Sequence, residues 1–227
     1  MRCVVTAGPT FEPLDQVRRL TNFSTGKLGT TLASCLADAG HEVVLLRGAT
    51  SLHPANPSVN CRITEFSTGA DLAQHLKALA AEPVAAIFHT AAVSDFAFGK
   101  VWRRDRGGEL EEVASGKIPS EAGALLAELQ PTPKILARLR AWFPESMIVG
   151  WKYEVEGGRP GAIEAGWRQI EVNQTNGCVV NGPAFGDGFG LLVPHAEPQF
   201  LPAAPQLFAA LSSWMLTFGQ PSQSRVD

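Results

Sequence analysis

Residues 4–9, Val-Val-Thr-Ala-Gly-Pro, are the stretch from which the fold of this chain can be worked out. A β-branched run that stops at Gly8-Pro9 is typical of a buried strand that opens into a loop. From Leu28 to Ala39 the apolar residues follow helical spacing, and Gly40 provides a left-handed stop before the apolar run Val43–Leu46. The stretch therefore predicts a strand, a long loop, a helix and a second strand, which is the repeating unit of a parallel sheet.

The same alternation continues toward the C-terminus. A predicted helix at Asp71–Leu79 leads to Ala85–Phe88, a continuous apolar run that is typical of a central parallel strand. Thr132 as N-cap and Pro133 at the first helical position predict a helix that runs to Phe143. Later elements are predicted as the strand Met147–Gly150, the helix Ala162–Ile170, the strand Cys178–Val180 and the helix Leu207–Phe218.

One charged segment interrupts the alternation. Val101–Arg104 and Glu109–Val113 flank a Gly-containing turn, which predicts an antiparallel hairpin, either a flap or a surface excursion. We therefore predict a Rossmann-like three-layer α/β sandwich with a mainly parallel sheet and a small antiparallel flap hairpin. One domain is expected over residues 1–219, followed by a disordered polar tail at 220–227.

The composition favours small-molecule chemistry. With 19 basic and 22 acidic residues the formal net charge is -3, so no broad positive surface is expected to bind nucleic acid or an anionic membrane. The N-terminus does not resemble a secretory signal and no apolar stretch is long enough to span a bilayer, so a cytoplasmic protein is expected. The 4 cysteines and 5 histidines lack the spacing of metal ligands, and the metal ligands, if any, stay unknown.

Polar residues follow the ends of the predicted strands, where parallel sheets bind ligands. The first connection, 7–29, ends in Ser24-Thr25-Gly26-Lys27 and offers hydroxyls, backbone donors and a lysine to a phosphate. Ordinary helix capping by Ser24 and Thr25 explains the pattern equally well. Neither a Walker P-loop nor a G-x-G-x-x-G fingerprint is present.

Two further segments also contain residues that could contact a ligand. The small Ala91-Ala92 pair after the central strand would let a ligand approach the backbone, and Asp95 would contact a base, a ribose or a metal, or else cap its own loop. Lys117, in the segment 115–120, would approach a polyphosphate or simply be solvated.

Taken together, these segments resemble the phosphopantothenate–cysteine ligase family, also known as the C-terminal half of the DNA/pantothenate metabolism flavoprotein. The run 6–29 is similar to the opening signature of the family, and 91–96 is similar to its Ala-Ala-Val-Ala-Asp-Tyr motif. Lys117-Ile118 resembles a Lys-Ile-Lys element, 131–136 resembles Asn/Thr-Pro-Asp-Ile-Leu, and 149–154 resembles Val-Gly-Phe-x-x-Glu. The likeness spans nearly the whole chain.

The resemblance implies a two-step ligation. The carboxylate of 4'-phosphopantothenate is activated with CTP or ATP, and the acyl-nucleotide then forms an amide with cysteine. Mg2+ is expected to neutralise the polyphosphate. No FMN is expected, since the flavin-dependent decarboxylase half of the bifunctional relatives is missing from this sequence, and a homodimer is expected.

The resemblance also implies residue roles. Asn22 would bind the acyl-nucleotide and Lys117 would stabilise phosphate charge, so these two are the expected catalytic residues. Trp151 would pack on the base, and Arg18 is expected to reach across a dimer interface. The expected nucleotide contacts are Gly8, Ala91, Ala92, Asp95, Lys117 and Trp151, and the expected substrate contacts are Arg18, Asn22, Ser24, Thr25 and Gly26.

Some positions depart from the family pattern. Where CTP-dependent bacterial members carry two lysines on the helix before the strand at Cys178, this chain has Gln169 and Asn173, with Arg168 the only close cation. Pro119 and Ser120 stand where further lysines are usual. The choice between CTP and ATP therefore stays open.

Two other functions also stay open. A catalytically silent ligand-binding or regulatory relative would fit the altered lysine positions. A short-chain dehydrogenase-like oxidoreductase would share the fold class, but Tyr153, the only tyrosine, lacks the lysine four residues later that would lower its pKa.

Overall fold

The computed structural model describes residues 1–56, 58–105, 107–113, 116–119 and 123–218. The predicted tail at 220–227, and Ser115 and Ser120 beside Lys117, lie outside the described residues.

An eight-stranded sheet runs through the middle of the molecule in the order β13-β12-β11-β10-β6-β1-β4-β5. Consecutive strands from β5 to β11 in this order pair in parallel, and β12 and β13 add an antiparallel edge. The strands are β1 Arg2–Ala7, β4 Glu42–Gly48, β5 Cys61–Phe66, β6 Ala86–His89, β10 Met147–Tyr153, β11 Gly177–Asn181, β12 Phe189–Leu192 and β13 Gln199–Leu201. The predicted α/β class with a mainly parallel sheet is confirmed.

Helices cover both faces of this sheet. Leu32 and Leu36 pack with Leu207 and Leu211 over one face, whereas Leu72 and Leu139 belong to the core of the other face. The helices are α1 Lys27–Asp38, α2 Gly69–Leu79, α3 Leu136–Trp142, α4 Gly158–Asn173 and α5 Ala204–Thr217. Each lies where the apolar spacing predicts a helix, and none of the described helices has the length and apolar character needed to cross a bilayer.

The predicted start of α3 is wrong. This helix begins at Leu136, with Ile135 as its N-cap, and not at Thr132-Pro133. The Thr132 amide donates to the Asp95 carbonyl oxygen at 2.9 Å, and its hydroxyl donates to the Ser94 carbonyl oxygen at 2.6 Å. Thr132 is therefore tied to the loop after β6 and is not available as a helix cap.

Two small antiparallel sheets complete the fold. The predicted charged hairpin is confirmed, but it belongs to a three-stranded flap of β7 Phe96–Arg104, β8 Leu110–Glu112 and β9 Ala124–Pro131. The first connection, predicted as a loop, contains the hairpin of β2 Phe11–Pro13 and β3 Arg19–Thr21.

Arg140 of α3 fastens this helix to the next strand connection. Its guanidinium donates to the carbonyl oxygens of Phe143, Pro144, Ser146 and Gln174 at 2.8–3.2 Å and to Asn176 Oδ1 at 2.7 Å. The same Asn176 oxygen accepts the amide of Ile148 in β10 at 2.8 Å. Arg140 thus ties α3 to the start of β10 and to the loop before β11.

Replacing Arg140 by Lys is expected to destabilise the fold by about 2 kcal/mol, because an ammonium cannot reproduce the divergent donors of the guanidinium. For a chain of this size that corresponds to a melting temperature lower by about 5 °C, measurable by thermal denaturation. Arg138→Lys on the exposed side of the same helix is the matched control. Equal melting temperatures for the two variants would contradict the assignment.

Candidate active site

The sheet has a topological switch point between β1 and β6. The chain leaves β1 toward β4 on one side, whereas β6 is followed by β10 on the other side. In open parallel sheets, ligands bind beyond the carboxyl ends of the strands at such a point. Gly8 follows β1 and Ala91 follows β6, so two of the predicted contact residues lie there.

The long first connection folds back over the end of β6. Its Asn22 Nδ2 donates to the Ala92 carbonyl oxygen at 2.9 Å, and the Thr10 amide donates to the same oxygen at 3.1 Å. The Ala92 amide in turn donates to the Gly8 carbonyl oxygen at 3.0 Å. Gly8, Asn22 and Ala92 are therefore brought together by hydrogen bonds to the main chain of Ala92.

Two glycines allow the start of α1 to approach the end of β1. Gly8 and Gly26 have φ of +84° and +78°, in the left-handed region. A Cβ on Gly8 would lie 1.8 Å from Ser51 Oγ, and one on Gly26 would lie 2.9 Å from the same atom. At either position a Cβ would collide with the Ser51 side chain, and on Gly26 it would also lie 3.2 Å from Gly8 Cα, just after β1.

A cavity of about 410 Å³ opens on the α1 and α5 face beside this junction. It brings together the predicted residues Gly8, Ser24, Thr25 and Gly26. The amides of Gly26 and Lys27 donate to Ser24 Oγ at 3.4 Å and Thr25 Oγ1 at 3.3 Å, so both hydroxyls act as acceptors at the helix start. Its opposite wall is apolar and is formed by Leu28, Phe189, Ala204 and Phe208.

A larger cleft of about 550 Å³ lies at the ends of β6 and β10, beside α3 and α4. Three predicted nucleotide contacts line it: Ala91, Asp95 and Trp151. The lining also includes His89, Val93, Lys134, Leu136, Lys152, Glu154, Arg168, Gln169 and Asn173.

The cations of this cleft are each paired with a carboxylate. Lys134 Nζ forms an ion pair with Asp95, and Lys152 Nζ lies 3.0 Å from Glu154 Oε1. Arg168 Nη2 lies 2.9 Å from Glu164 Oε1. The Lys134 and Arg168 side chains are 64% and 70% exposed, so a polyphosphate can compete for them at the mouth of the cleft.

Gln169 and Asn173 are held by protein contacts. Gln169 Nε2 donates to the Trp151 carbonyl oxygen at 3.1 Å, and its Oε1 accepts from Cys178 Sγ at 3.1 Å. Asn173 Nδ2 donates to the Gln169 carbonyl oxygen at 2.7 Å. Burial raises the pKa of the Cys178 thiol to about 12, so it stays protonated and can donate. These two positions supply amides to the cleft wall and no charge.

The side chain of Trp151 packs toward the other face of the sheet. It contacts the cluster that includes Met147 and Val149, as strand alternation requires. The neighbouring Gly150 leaves room for α4, since a Cβ there would lie 2.4 Å from Gln169 Oε1. Packing of the indole on a base therefore stays a prediction.

His89 was not predicted as a site residue, yet it lines the cleft at the end of the central strand. Its Nδ1 lies 2.9 Å from Thr6 Oγ1 of the adjacent strand. Burial lowers the pKa of the ring from 6.5 to about 4, so the ring is uncharged at neutral pH. The available signal was its position directly after the apolar run Ala85–Phe88.

A second junction joins the β2–β3 hairpin, which carries Arg18, to the segment 116–118, which carries Lys117. Asp15, whose side chain is 1% exposed, accepts from the Ile118 amide at 3.1 Å and from Arg18 Nε at 3.0 Å. Arg18 Nη2 also donates to the Ile118 carbonyl oxygen at 2.6 Å, and the Gln16 amide donates to the Gly116 carbonyl oxygen at 2.9 Å. The residues on both sides of Lys117 are thus anchored to the hairpin, although Arg18, Asn22 and Lys117 line neither cavity.

The hydrogen bond from Arg18 holds the pKa of Asp15 well below its usual range, and the amides of Val17, Ile118 and Arg18 act in the same direction. Replacing Asp15 by Asn should open this junction, because the neutral amide loses the charge-assisted bonds. We expect faster hydrogen exchange at the Ile118 amide, because its hydrogen bond to residue 15 weakens. Asp105→Asn, at the exposed hairpin turn, is the control. Unchanged exchange at Ile118 would contradict the role of Asp15.

The mostly parallel sheet, with a ligand-sized cleft beside the switch point at the ends of β6 and β10, places the chain among the Rossmann-like α/β proteins, a class that binds ligands beyond the strand ends. The chain belongs to the family of the DNA/pantothenate metabolism flavoprotein C-terminal domain, whose model matches residues 1–182.

Individual relatives agree with this membership. The chain is 33% identical over 171 residues to the coenzyme A biosynthesis bifunctional protein CoaBC of Thermococcus kodakarensis, covering 75% of this chain and 38% of that protein. It is 27% identical to the human phosphopantothenate–cysteine ligase, covering 67% of this chain and 63% of the relative. The chain thus spans less than two thirds of the length of these relatives.

A solved structure shares the fold. The DNA/pantothenate metabolism flavoprotein from Streptococcus pneumoniae superposes with a TM-score of 0.84 at 24% identity, covering 96% of this chain and 99% of that one. Residues after 182, beyond the family match, contribute Phe189, Ala204 and Phe208 to the apolar wall of the smaller cavity.

Proposed function

We propose that this chain is a phosphopantothenate–cysteine ligase. In the first step the carboxylate of 4'-phosphopantothenate attacks the α-phosphorus of CTP or ATP, forming an acyl-nucleotide and releasing pyrophosphate. In the second step the amine of cysteine attacks the acyl carbon, the nucleoside monophosphate leaves, and the amine proton is lost to solvent. The activation is needed because a free carboxylate has no adequate leaving group.

The observation that carries this proposal is the hydrogen bond from Asn22 Nδ2 to the Ala92 carbonyl oxygen. It sets the residue expected to bind the acyl-nucleotide at the end of the central strand. Gly8, whose carbonyl accepts the Ala92 amide, lines the smaller cavity, and Ala91 lines the larger cleft. An acid and a nucleotide that extend past the strand ends from the two cavities would meet beside Asn22.

The nucleotide is assigned to the larger cleft. Its base would enter between the end of β10 and α4, near Trp151, and Asp95 would contact the ribose once its ion pair with Lys134 exchanges. Ala91 and Ala92 leave space for the nucleotide at the strand end. The uncharged Gln169 and Asn173 make the base pocket neutral, which allows either CTP or ATP.

The phosphorylated acid is assigned to the smaller cavity. Gly26 caps a helix of 12 residues, whose N-terminal amides and dipole favour an anion, and Ser24 and Thr25 add hydroxyl donors. Arg18 and Lys117 would close over the reacting phosphates from the hairpin and the flap. Lys117 would act by stabilising the charge that develops as pyrophosphate leaves.

Mg2+ is expected to arrive with the nucleotide. Among the residues that the structure describes, no group of three His, Cys, Asp or Glu side chains is placed to hold a metal ion. Magnesium is commonly bound by substrate phosphates, water and one or two carboxylates. Asp95 and Glu154 line the cleft, and of these two Asp95 would contact the ion, which would neutralise phosphate charge.

Release of pyrophosphate tests the proposal. The purified chain is incubated with 4'-phosphopantothenate, cysteine, Mg2+ and either CTP or ATP, and a coupled assay measures pyrophosphate while mass spectrometry detects the amide. Turnover with one nucleotide is expected, and the preferred nucleotide is read directly. Omission of the acid is the control, because pyrophosphate must then be absent.

The assay also separates the alternatives. Nucleotide binding without pyrophosphate release with either CTP or ATP would indicate a catalytically silent relative. Pyrophosphate that forms without the amide product would contradict phosphopantothenate or cysteine as the natural pair.

The proposed ligase is a cytoplasmic homodimer. Val17, Leu20 and Phe23 of the first connection are exposed, and Phe96 and Leu129 of the flap sheet are too. Apolar side chains of this kind on neighbouring elements favour a second copy as partner. Light scattering at micromolar concentration should give twice the mass of 24.2 kDa, and cell fractionation should recover the protein with cytoplasmic markers. A monomer mass would contradict the dimer.

A further inference from the structure

His89 occupies the floor of the larger cleft. It ends β6, the central strand, and only 7% of its surface is exposed. Nδ1 forms a hydrogen bond with Thr6 Oγ1, whereas Nε2 makes no hydrogen bond with the described residues. Nε2 is not one of the unpaired side-chain nitrogens that are fully buried, so it retains some contact with solvent. Since His89 lines the cleft, this nitrogen faces the space where a ligand would sit.

The hydrogen bonds around Thr6 determine the tautomer. Thr6 is fully buried, and its Oγ1 accepts the Ala91 amide at 3.1 Å. The hydroxyl hydrogen still needs an acceptor, because buried polar groups are almost always paired. The acceptor within reach is His89 Nδ1, at 2.9 Å. A neutral imidazole that accepts at Nδ1 carries its proton at Nε2, so the nitrogen facing the cleft is a donor.

Apolar side chains line the cleft together with His89, and the cations of the cleft are paired or exposed. Ala91, Val93 and Leu136 belong to the same lining, Lys152 is paired with Glu154, and Lys134 and Arg168 are mostly exposed. Burying a phosphate against a neutral ring and alkyl groups would leave its charge uncompensated. An uncharged acceptor is the better partner for Nε2–H, and the phosphates belong with the exposed cations.

We propose that the Nε2–H of His89 donates a hydrogen bond to a carbonyl oxygen or ring nitrogen of the nucleobase that occupies the cleft. The inference rests on the proposed function, because that function supplies the nucleotide. His89 then binds the base, and the hydrogen bond from the Thr6 hydroxyl fixes the tautomer of the His89 ring.

Two substitutions distinguish the contact made by Nδ1 from the contact made by Nε2. His89→Asn can keep the contact to Thr6 but is too short to place a donor at the Nε2 position, whereas the longer His89→Gln can present an amide N–H there. Dissociation constants are measured calorimetrically with Mg2+ and CTP, Mg2+ and ATP, and inorganic tripolyphosphate. Melting temperatures verify that both variants fold.

We expect His89→Asn to bind the preferred nucleotide about five- to tenfold more weakly, the usual scale of one hydrogen bond, and His89→Gln to recover most of that loss. Tripolyphosphate should bind all three proteins equally. Equal weakening of nucleotide and tripolyphosphate would overturn the base contact, as would unchanged nucleotide binding in His89→Asn. If the wild-type chain binds neither CTP nor ATP, the proposed function fails together with this inference, whereas the other two results overturn the His89 contact alone.

Nitrogen-15 spectra of the wild-type chain test the tautomer directly, without a binding constant. With 15N-labelled histidine at neutral pH, His89 should show the Nε2-protonated tautomer, identified by loss of its signals in His89→Asn. Addition of CTP or ATP should shift the Nε2 resonance, and tripolyphosphate should leave it in place. A proton on Nδ1, or equal shifts with tripolyphosphate, would overturn the assignment.

Discussion

Replacing Lys117 by Gln is expected to slow pyrophosphate release by about 100- to 1,000-fold, equivalent to about 3–4 kcal/mol of lost transition-state stabilisation. The structure gives the reason why this lysine in particular should matter. The neighbours Gly116 and Ile118 are bonded to Gln16, Asp15 and Arg18, so the backbone beneath an exposed side chain is fixed. Because the backbone that carries it is held in place, Lys117 should need little reorganisation when charge develops on the leaving pyrophosphate.

Lys100→Gln is the matched control for Lys117→Gln. Lys100 is an exposed lysine of the flap whose Nζ lies 2.7 Å from Glu112 Oε2, away from the anchored segment. Its loss should change turnover less than about twofold, because exposed ion pairs contribute little. The melting temperature should be the same for both variants. A Lys117→Gln enzyme with wild-type kcat would remove Lys117 from the mechanism.

The buried elements of the fold were predictable because burial imposes periodicity. β1 and β6 are continuous apolar runs because both of their faces are covered, and α1 carries apolar residues at helical spacing up to the left-handed Gly40. These segments were predicted within a few residues of their observed bounds.

The exposed strands were not predictable in the same way. β9, Ala-Leu-Leu-Ala-Glu-Leu-Gln-Pro, is rich in helix-forming residues and is mostly exposed, yet it is extended because it pairs with β7. β2 and β3 have three residues each, and β2 ends in proline, so neither shows a recognisable period. In both cases the partner strand decides the conformation, and local propensity does not.

The candidate site was predictable as a set of segments, but not as a set of side-chain directions. The resemblance indicated the stretches around Gly26, Ala91 and Lys117, and the structure shows how the first two are joined. The resemblance did not indicate that Gln169 is hydrogen-bonded to the Trp151 carbonyl and to Cys178. Nor did it indicate that the Trp151 side chain packs toward the α1 and α5 face. Such orientations follow from the strand pleat and from hydrogen bonds formed only after folding.

The stability of the chain should depend on the protonation of His89 below neutral pH. Burial lowers its pKa from 6.5 to about 4 in the folded chain, so between these values the unfolded chain binds more protons. Stability must then rise with pH in this window: the contribution is complete above the unfolded pKa and is lost as pH falls toward the folded one. A shift of this size corresponds to about 3 kcal/mol in total.

Comparison with His89→Asn isolates this contribution, because asparagine does not titrate and all other groups are shared. The stability advantage of the wild-type chain over the variant should shrink by about 2 kcal/mol between pH 7 and pH 4.5, which is about 5 °C in melting temperature. Denaturant unfolding at several pH values measures it, and the C2 proton resonance of the ring reports the pKa directly. Parallel stability curves for the two proteins over this range would mean that folding does not desolvate the ring, and they would contradict the burial of His89 at the floor of the cleft.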